Sequence, residues 1–207
     1  LPQTYEGRDT LYRWVTAARE FRGKEKIGIA RIVERNPNVI DLEMALPTDK
    51  AASANGASRM DIVALEKDGD GVRIAFYEAK RFSNPELRNC EPSKSKVLGQ
   101  LVKYRDYVSQ EVRRKQVEEA YANACVVLTA IDTMRGHATD PLIEQVARAA
   151  KLGVWPTLDP KPRLVVFDYK DHQVGPGSSW ERHERAIREN WTLIQYPSAA
   201  GVVLNAS

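Results

Sequence analysis

Asp61, Glu78 and Lys80 have the residue types and the spacing to do chemistry on a charged substrate. Between the two acids runs Lys67-Asp68-Gly69-Asp70-Gly71, whose Gly and Asp residues tolerate positive φ and signal a tight hairpin. With Gly69-Asp70 as the turn, Leu65 faces Ile74, Val63 faces Phe76 and Asp61 faces Glu78. Opposed side chains share one face at roughly 5 Å between Cβ atoms, and Lys80, two residues after Glu78, shares that face. Opposed carboxylates repel, and one ammonium does not easily balance both. A hard divalent cation does: Mg²⁺, with Mn²⁺ as a substitute, takes one or two carboxylates plus water and substrate phosphate. Asp61, Glu78 and the main-chain carbonyl of Ala79 are the expected metal ligands. In phosphodiester hydrolysis such an ion polarises the phosphoryl group and helps to make hydroxide. Lys80 would orient or deprotonate the attacking water, or stabilise charge growing on phosphate.

A plainer alternative is an edge hairpin with a surface ion pair from Lys80 to Glu78 or Asp61. Against it, Ile62, Ala64, Ala75 and Ala79 make the other face apolar too. Charges on a strand covered on both sides call for a function.

The elements that must position these residues follow from hydrophobic periodicity. Helices are expected over Asp9 to Phe21 and Glu25 to Glu34, the second stopped by Asn36-Pro37. A half-buried strand spans Val39 to Leu46, a loop Pro47 to Ser58, and the hairpin strands Arg59 to Glu66 and Val72 to Phe82. Ser83 to Ser93 is loop, and a long helix runs from about Lys94 to about Ala120. The β-branched run in Ala124 to Ile131 predicts a buried strand, and Asp140-Pro141 opens a helix through Ala150. A strand over Leu164 to Tyr169, a Gly/Pro/Ser linker, a charged helix from Ser179 and a last strand over Trp191 to Tyr196 complete the chain. This order predicts an α/β fold with a central mixed sheet flanked by helices. We read one domain over residues 1–207: an N-terminal helical segment (1–24), a core (25–170) and a C-terminal helix-and-strand extension (171–207).

Arg59-Met60-Asp61 followed by Glu78-Ala79-Lys80 on the next strand resembles the PD-(D/E)xK, restriction-endonuclease-like nuclease superfamily. That resemblance implies a restriction-endonuclease-like core, metal binding by Asp61 and Glu78, and water activation by Lys80. Gln100-Leu101-Val102-Lys103-Tyr104 is similar to the Q-x-x-x-Y motif of the RecB-like and CRISPR-associated exonuclease branch. Four residues apart on one helix face, Gln100 and Tyr104 would then contact the nucleic acid or steady the site. The likeness covers roughly Glu25 to Ile131, and the last third carries no such motif. Members that carry an iron–sulfur cluster use four cysteines, and this chain has 2. The His that some relatives place before the Asp is missing. Many members add an acid from the first helix; Glu25 and Glu34 are candidates, as is Glu43 on the first strand, and a solvated carboxylate is the favoured reading of each.

Composition bounds the partners. The 207 residues are 43% hydrophobic and 29% charged, as in soluble globular chains, and nothing approaches a membrane span. Cys90 and Cys125 read as reduced thiols of a cytoplasmic protein. The net charge of +3 proves no polyanionic partner, although Arg81, Arg88, Lys94, Lys96, Lys103 and Arg105 cluster after the catalytic strand. Such a cluster suits a phosphate-tracking groove and a solvated helix face equally. His137, His172 and His183 lack ligand spacing, and Asp168 reads as a strand-end turn residue. Trp180 reads as the anchor of a helix whose arginines face solvent. The expected function is a metal-dependent endo- or exonuclease acting on DNA; the alternatives are an inactive nucleic-acid-binding or assembly module of the same fold, or a ribonuclease. A homo-oligomer or a longer protein context stays open, since the chain does not begin with Met.

Overall fold

The computed structural model describes residues 4–20, 23–46 and 59–204; the loop expected over Pro47 to Ser58 lies outside them. Helices α1 (Arg8–Glu20) and α2 (Lys24–Arg35) precede strand β1 (Val39–Ala45). The hairpin follows as β2 (Arg59–Asp68) and β3 (Gly71–Arg81). Then come α3 (Lys96–Val108), α4 (Glu111–Arg135), α5 (Pro141–Ala150), β4 (Thr157–Leu158), β5 (Arg163–Phe167), α6 (Glu181–Arg188) and β6 (Thr192–Tyr196). The architecture is α/β with a six-stranded mixed sheet flanked by helices, in the order β1-β2-β3-β5-β6 with β4 beside β3. β1, β2 and β3 pair antiparallel; β3, β5 and β6 run parallel, and β4 is parallel to β3.

The hairpin register is the expected one. Leu65 pairs with Ile74, Val63 with Phe76 and Ile62 with Tyr77, around Gly69-Asp70. Gly69 takes φ 58°, a left-handed conformation that explains a glycine there. Side-chain alternation then sends the two hairpin faces into separate cores. Val63, Leu65, Ile74 and Phe76 pack with Val117, Tyr121 and Cys125 of α4 and with Ile143 and Val146 of α5. Ile62, Ala64, Ala75, Tyr77 and Ala79 pack on the opposite face with Ile32 of α2, Val165, Phe167, and the C-terminal Ala199, Val202 and Leu204. A third cluster extends the first face: Phe82, Leu164 and Val166 meet Val97, Leu98 and Leu101 of α3, Trp180 just before α6, and Ile187 of α6.

The structure departs from the expected elements in three places. The strand expected over Ala124 to Ile131 is the C-terminal half of α4. Val117, Tyr121 and Cys125 recur every four residues on its buried side, so tertiary packing selects the helical period over β propensity. Thr129 and Thr133 satisfy their hydroxyls inside the helix, on the i−4 carbonyls of Cys125 and Thr129 at 2.9 and 2.8 Å. Gly136, at φ 68°, ends that helix with a left-handed cap. The single helix expected from Lys94 to Ala120 is two, α3 and α4, separated at Ser109-Gln110. Strand β4 was not expected; only two residues long, it has no periodicity to read. In α1 the apolar residues Leu11 and Val15 are exposed.

Among the described residues no helix is long and apolar enough to cross a membrane. Cys90 is exposed, Cys125 is buried, and both are free thiols.

Candidate active site

Along one face of β3 the side chains read Ile74, Phe76, Glu78, Lys80, and Phe82 follows just past the strand. Two charges thus interrupt an apolar stripe where two core clusters meet, under α3. Glu78 is 1% exposed and Lys80 is 6% exposed. Lys80 Nζ lies 2.7 Å from Glu78 Oε1 and 4.0 Å from Asp61 Oδ2, so the expected triad converges. Asp61 is fixed from the main chain as well, because the N–H of Ala79 donates to its Oδ2 at 2.8 Å. The Ala79 side chain itself is buried in the opposite core.

Two further carboxylates reach the same ammonium. Glu25, from the first turn of α2, places Oε1 3.8 Å from Lys80 Nζ, and Glu86 places Oε2 at 3.6 Å. Glu25 was one of three open candidates for an extra acid. Of the others, Glu34 is exposed, and Glu43 is held at the surface by Lys26 and Arg59 at 2.8 and 3.0 Å. Glu86 was missed, because it lies in the segment read as plain loop. A local signal existed: Asn84-Pro85-Glu86 has the order of a helix start, and residues Pro85–Leu87 form a 3-10 turn.

Asn84 joins the two added acids. Its Oδ1 accepts from the N–H of Glu86 at 2.9 Å, and its Nδ2 donates to Glu25 Oε2 at 2.7 Å. The same Glu25 oxygen accepts from the N–H of Arg81 at 3.1 Å. Arg88 anchors this loop, with its guanidinium 4.5 Å from the Phe82 ring centre and 5.4 Å from that of Trp180. Glu86 in turn is bound by Lys96 at the start of α3.

The electrostatics follow from burial and crowding. Burial, then the charge of Asp61, pushes the Glu78 carboxyl up to about 7 against the opposing pull of Lys80. Burial raises Asp61 as well, opposed by Lys80 and by the Ala79 N–H. For Lys80, burial acts downward, but the charges of Glu78 and Asp61 outweigh it and hold the ammonium protonated. Burial also acts to raise Glu86, yet its bond with Lys96 and the Lys80 charge keep it below the usual carboxylate range.

Glu78 Oε2 is buried and accepts no hydrogen bond, although the Tyr104 hydroxyl, which donates to the Arg59 carbonyl, lies within reach of the Glu78 carboxylate. Glu66, the other buried acid of this hairpin, is a useful contrast. Its Oε2 accepts from Arg73 and Arg163, both at 2.9 Å, and its Oε1 is held by the Tyr77 hydroxyl. The fold therefore saturates a structural carboxylate with donors, whereas one oxygen of Glu78 keeps a lone-pair site open. A buried acceptor left unpaired is costly, and such atoms in a native structure point to a missing partner. Four carboxylates around one ammonium leave a surplus of negative charge at this end of the sheet. Among the described residues no group of three or more His, Cys, Asp or Glu side chains is arranged to hold a metal ion. An ion would thus rest on Asp61 and Glu78 with oxygens from main chain, water or substrate, as Mg²⁺ commonly does.

Tyr104 is buried beneath this cluster and donates its hydroxyl to the Arg59 carbonyl, next to Asp61. Burial and the nearby Glu78 and Asp61 charges raise the hydroxyl far above the usual phenol range. Gln100, one turn earlier on α3, is half-buried, and its Oε1 has no partner. The clustered cations are mostly paired: Arg81 with Asp168 at 3.3 Å, Lys94 with Glu91 at 2.7 Å and Arg105 with Asp106 at 2.8 Å. Among the described residues Lys103 makes no ion pair. Asp168 is a strand-end turn residue, at φ 60°, and Trp180 is fully buried while Arg182, Arg185 and Arg188 of its helix are exposed.

No protein-family model matches the chain, and neither a curated protein nor a solved structure is significantly similar to it.

Proposed function

We propose that this protein is a divalent-metal-dependent nuclease of the PD-(D/E)xK type that hydrolyses phosphodiester bonds in DNA. The observation that carries the reading is the unpartnered buried Oε2 of Glu78, beside Asp61 and Lys80 on the hairpin. Asp61, Glu78 and the Ala79 carbonyl hold Mg²⁺ or Mn²⁺, which when bound supplies Lewis-acid activation of phosphate and water. Lys80 stays protonated against its carboxylates and so places a positive charge where negative charge develops on the phosphoryl oxygens. Asp61 is oriented by the Ala79 N–H, and Glu25 and Glu86 hold the ammonium in place until phosphate competes for it. Tyr104 fixes the Arg59 end of β2, and Gln100 offers its amide to the substrate strand.

The test is direct. Linear, circular and single-stranded DNA, and RNA, are incubated with the protein in Mg²⁺, in Mn²⁺ or in chelator, beside Lys80→Ala. Metal-dependent DNA cleavage lost in the variant is expected. Cleavage that survives chelator or the substitution sinks the mechanism. Cleavage of RNA alone makes the protein a ribonuclease, and metal-independent binding without cutting makes it a binding module.

A further inference from the structure

The start of α3 has several features that structure alone leaves unexplained. Ser95 occupies the N-cap position, where a hydroxyl normally accepts from the first turn, yet it makes no capping bond. It is 3% exposed, and its hydroxyl has no partner at all. The N–H groups of Lys96 and Val97 precede the first i→i−4 bond, and no acidic residue lies in the first turn to meet the helix dipole. Beside this turn is a surface depression of about 460 Å³ lined by Ser95, Lys94, Lys96, Gly99, Gln100 and Lys103, among others. Lys94 and Lys96 each have one carboxylate partner, and both are largely exposed.

Gly99 is the second unexplained feature. Glycine weakens a helix interior, so its presence there needs a reason. Packing does not provide one, because a Cβ at this position would meet nothing within 4 Å. The bare backbone instead leaves an open, exposed stretch of the depression's lining beside Lys96, Gln100 and Lys103.

We infer that the N-terminal end of α3 is a phosphate subsite for the substrate strand, formed by Ser95, the first-turn N–H groups, Lys94, Lys96 and Lys103. Helix N-termini bind phosphate through oriented N–H groups and the dipole, and the lysines add charge. The subsite rests on the nuclease reading for its substrate class, and it places a strand phosphate along α3 from Gln100. Lys96 also links the subsite to the reaction centre: phosphate bound there competes with Glu86 for Lys96, and Glu86 is a partner of Lys80.

The test measures binding of a labelled single-stranded DNA oligonucleotide by fluorescence anisotropy in chelator, across a salt series. Wild type is compared with a Lys94→Ala/Lys103→Ala double variant and with Gly99→Glu, which fills open space with a negative charge. Each lost phosphate contact should lower the slope of log affinity against log salt by roughly 0.7, so the double variant binds at least about tenfold more weakly at 0.1 M salt. A 5′-phosphorylated strand that binds more tightly than its 5′-hydroxyl twin, in wild type alone, assigns the subsite to a terminal phosphate. Equal binding of the two, with the variants still weakened, assigns it to a phosphodiester. Unchanged affinity and slope in both variants overturns the subsite, and cleavage retained in Mg²⁺ then leaves the nuclease reading intact. Variant-sensitive binding with no cleavage by wild type keeps the subsite and removes the nuclease reading.

Discussion

Lys80 Nζ stands 2.7 Å from Glu78 Oε1, while the other oxygen of the same carboxylate is buried with no partner. One side of Glu78 is thus neutralised inside the protein, and the other is left for a ligand. Lys80 alone does not complete the site, because Glu25, Asp61 and Glu86 share its charge.

Stability should depend on pH through this carboxylate. Glu78 titrates near 7 in the folded chain, raised first by burial and then by Asp61, against about 4.5 when unfolded. Between those values the native state binds more protons, so its contribution to stability is complete below 4.5 and is lost as pH rises through 7. A metal must displace that proton, so apparent affinity falls roughly tenfold per pH unit below 7. Thermal melts in Mg²⁺ and in chelator should therefore show metal stabilisation at about pH 8 and little at about pH 5.5. Equal shifts at both would contradict this.

Lys80→Ala should reduce cleavage by about 10² to 10⁴-fold, the usual scale for a group that handles the proton or charge of the reaction. It should also destabilise the metal-free protein by about 3–5 kcal/mol at pH 8, since buried carboxylates lose their counter-charge. At pH 5.5 the penalty shrinks as Glu78 takes up its proton. Denaturant titration at the two pH values checks the difference.

Glu25→Ala removes the acceptor for both the Arg81 N–H and the Asn84 amide. Donors left unsatisfied cost about 1–3 kcal/mol, and cleavage should fall with them because Asn84 also caps the turn carrying Glu86. Glu25→Gln keeps one carbonyl acceptor and should lose less. Identical stability of the two variants would argue against the bridging role.

Gly28→Ala, on α2, should destabilise by about 1–3 kcal/mol, because the added Cβ would overlap the Phe167 ring. Gly99→Ala, on α3, meets only open space and should raise the melting temperature through helix propensity alone. Melting curves of the pair check that close packing, rather than glycine itself, governs the α2 position.

The hairpin was legible because the Gly69-Asp70 turn fixes which residues face each other, and alternation then sends Asp61, Glu78 and Lys80 to one face. Tyr104 was marked by the resemblance of the stretch from Gln100 to Tyr104 to a Q-x-x-x-Y motif, and helical spacing only placed it on one face with Gln100. Glu86 was not legible as a site residue, since its approach to Lys80 depends on Arg88 docking the loop on Phe82 and Trp180, a tertiary contact. The strand expected at Ala124 to Ile131 failed because β-branched content speaks of local preference, whereas the four-residue recurrence of Val117, Tyr121 and Cys125 reports what is buried. Nor did the sequence mark the break at Ser109-Gln110, which lacks Gly and Pro.

The most direct measurement is the single-turnover rate of cleavage of linear duplex DNA in Mg²⁺ by wild type and by Glu78→Gln, which keeps the side chain's shape and removes its charge. Metal-dependent cleavage by wild type and a loss of at least about 10²-fold in the variant are expected, in line with removal of a metal ligand. An equal rate in the two proteins would contradict that role for Glu78.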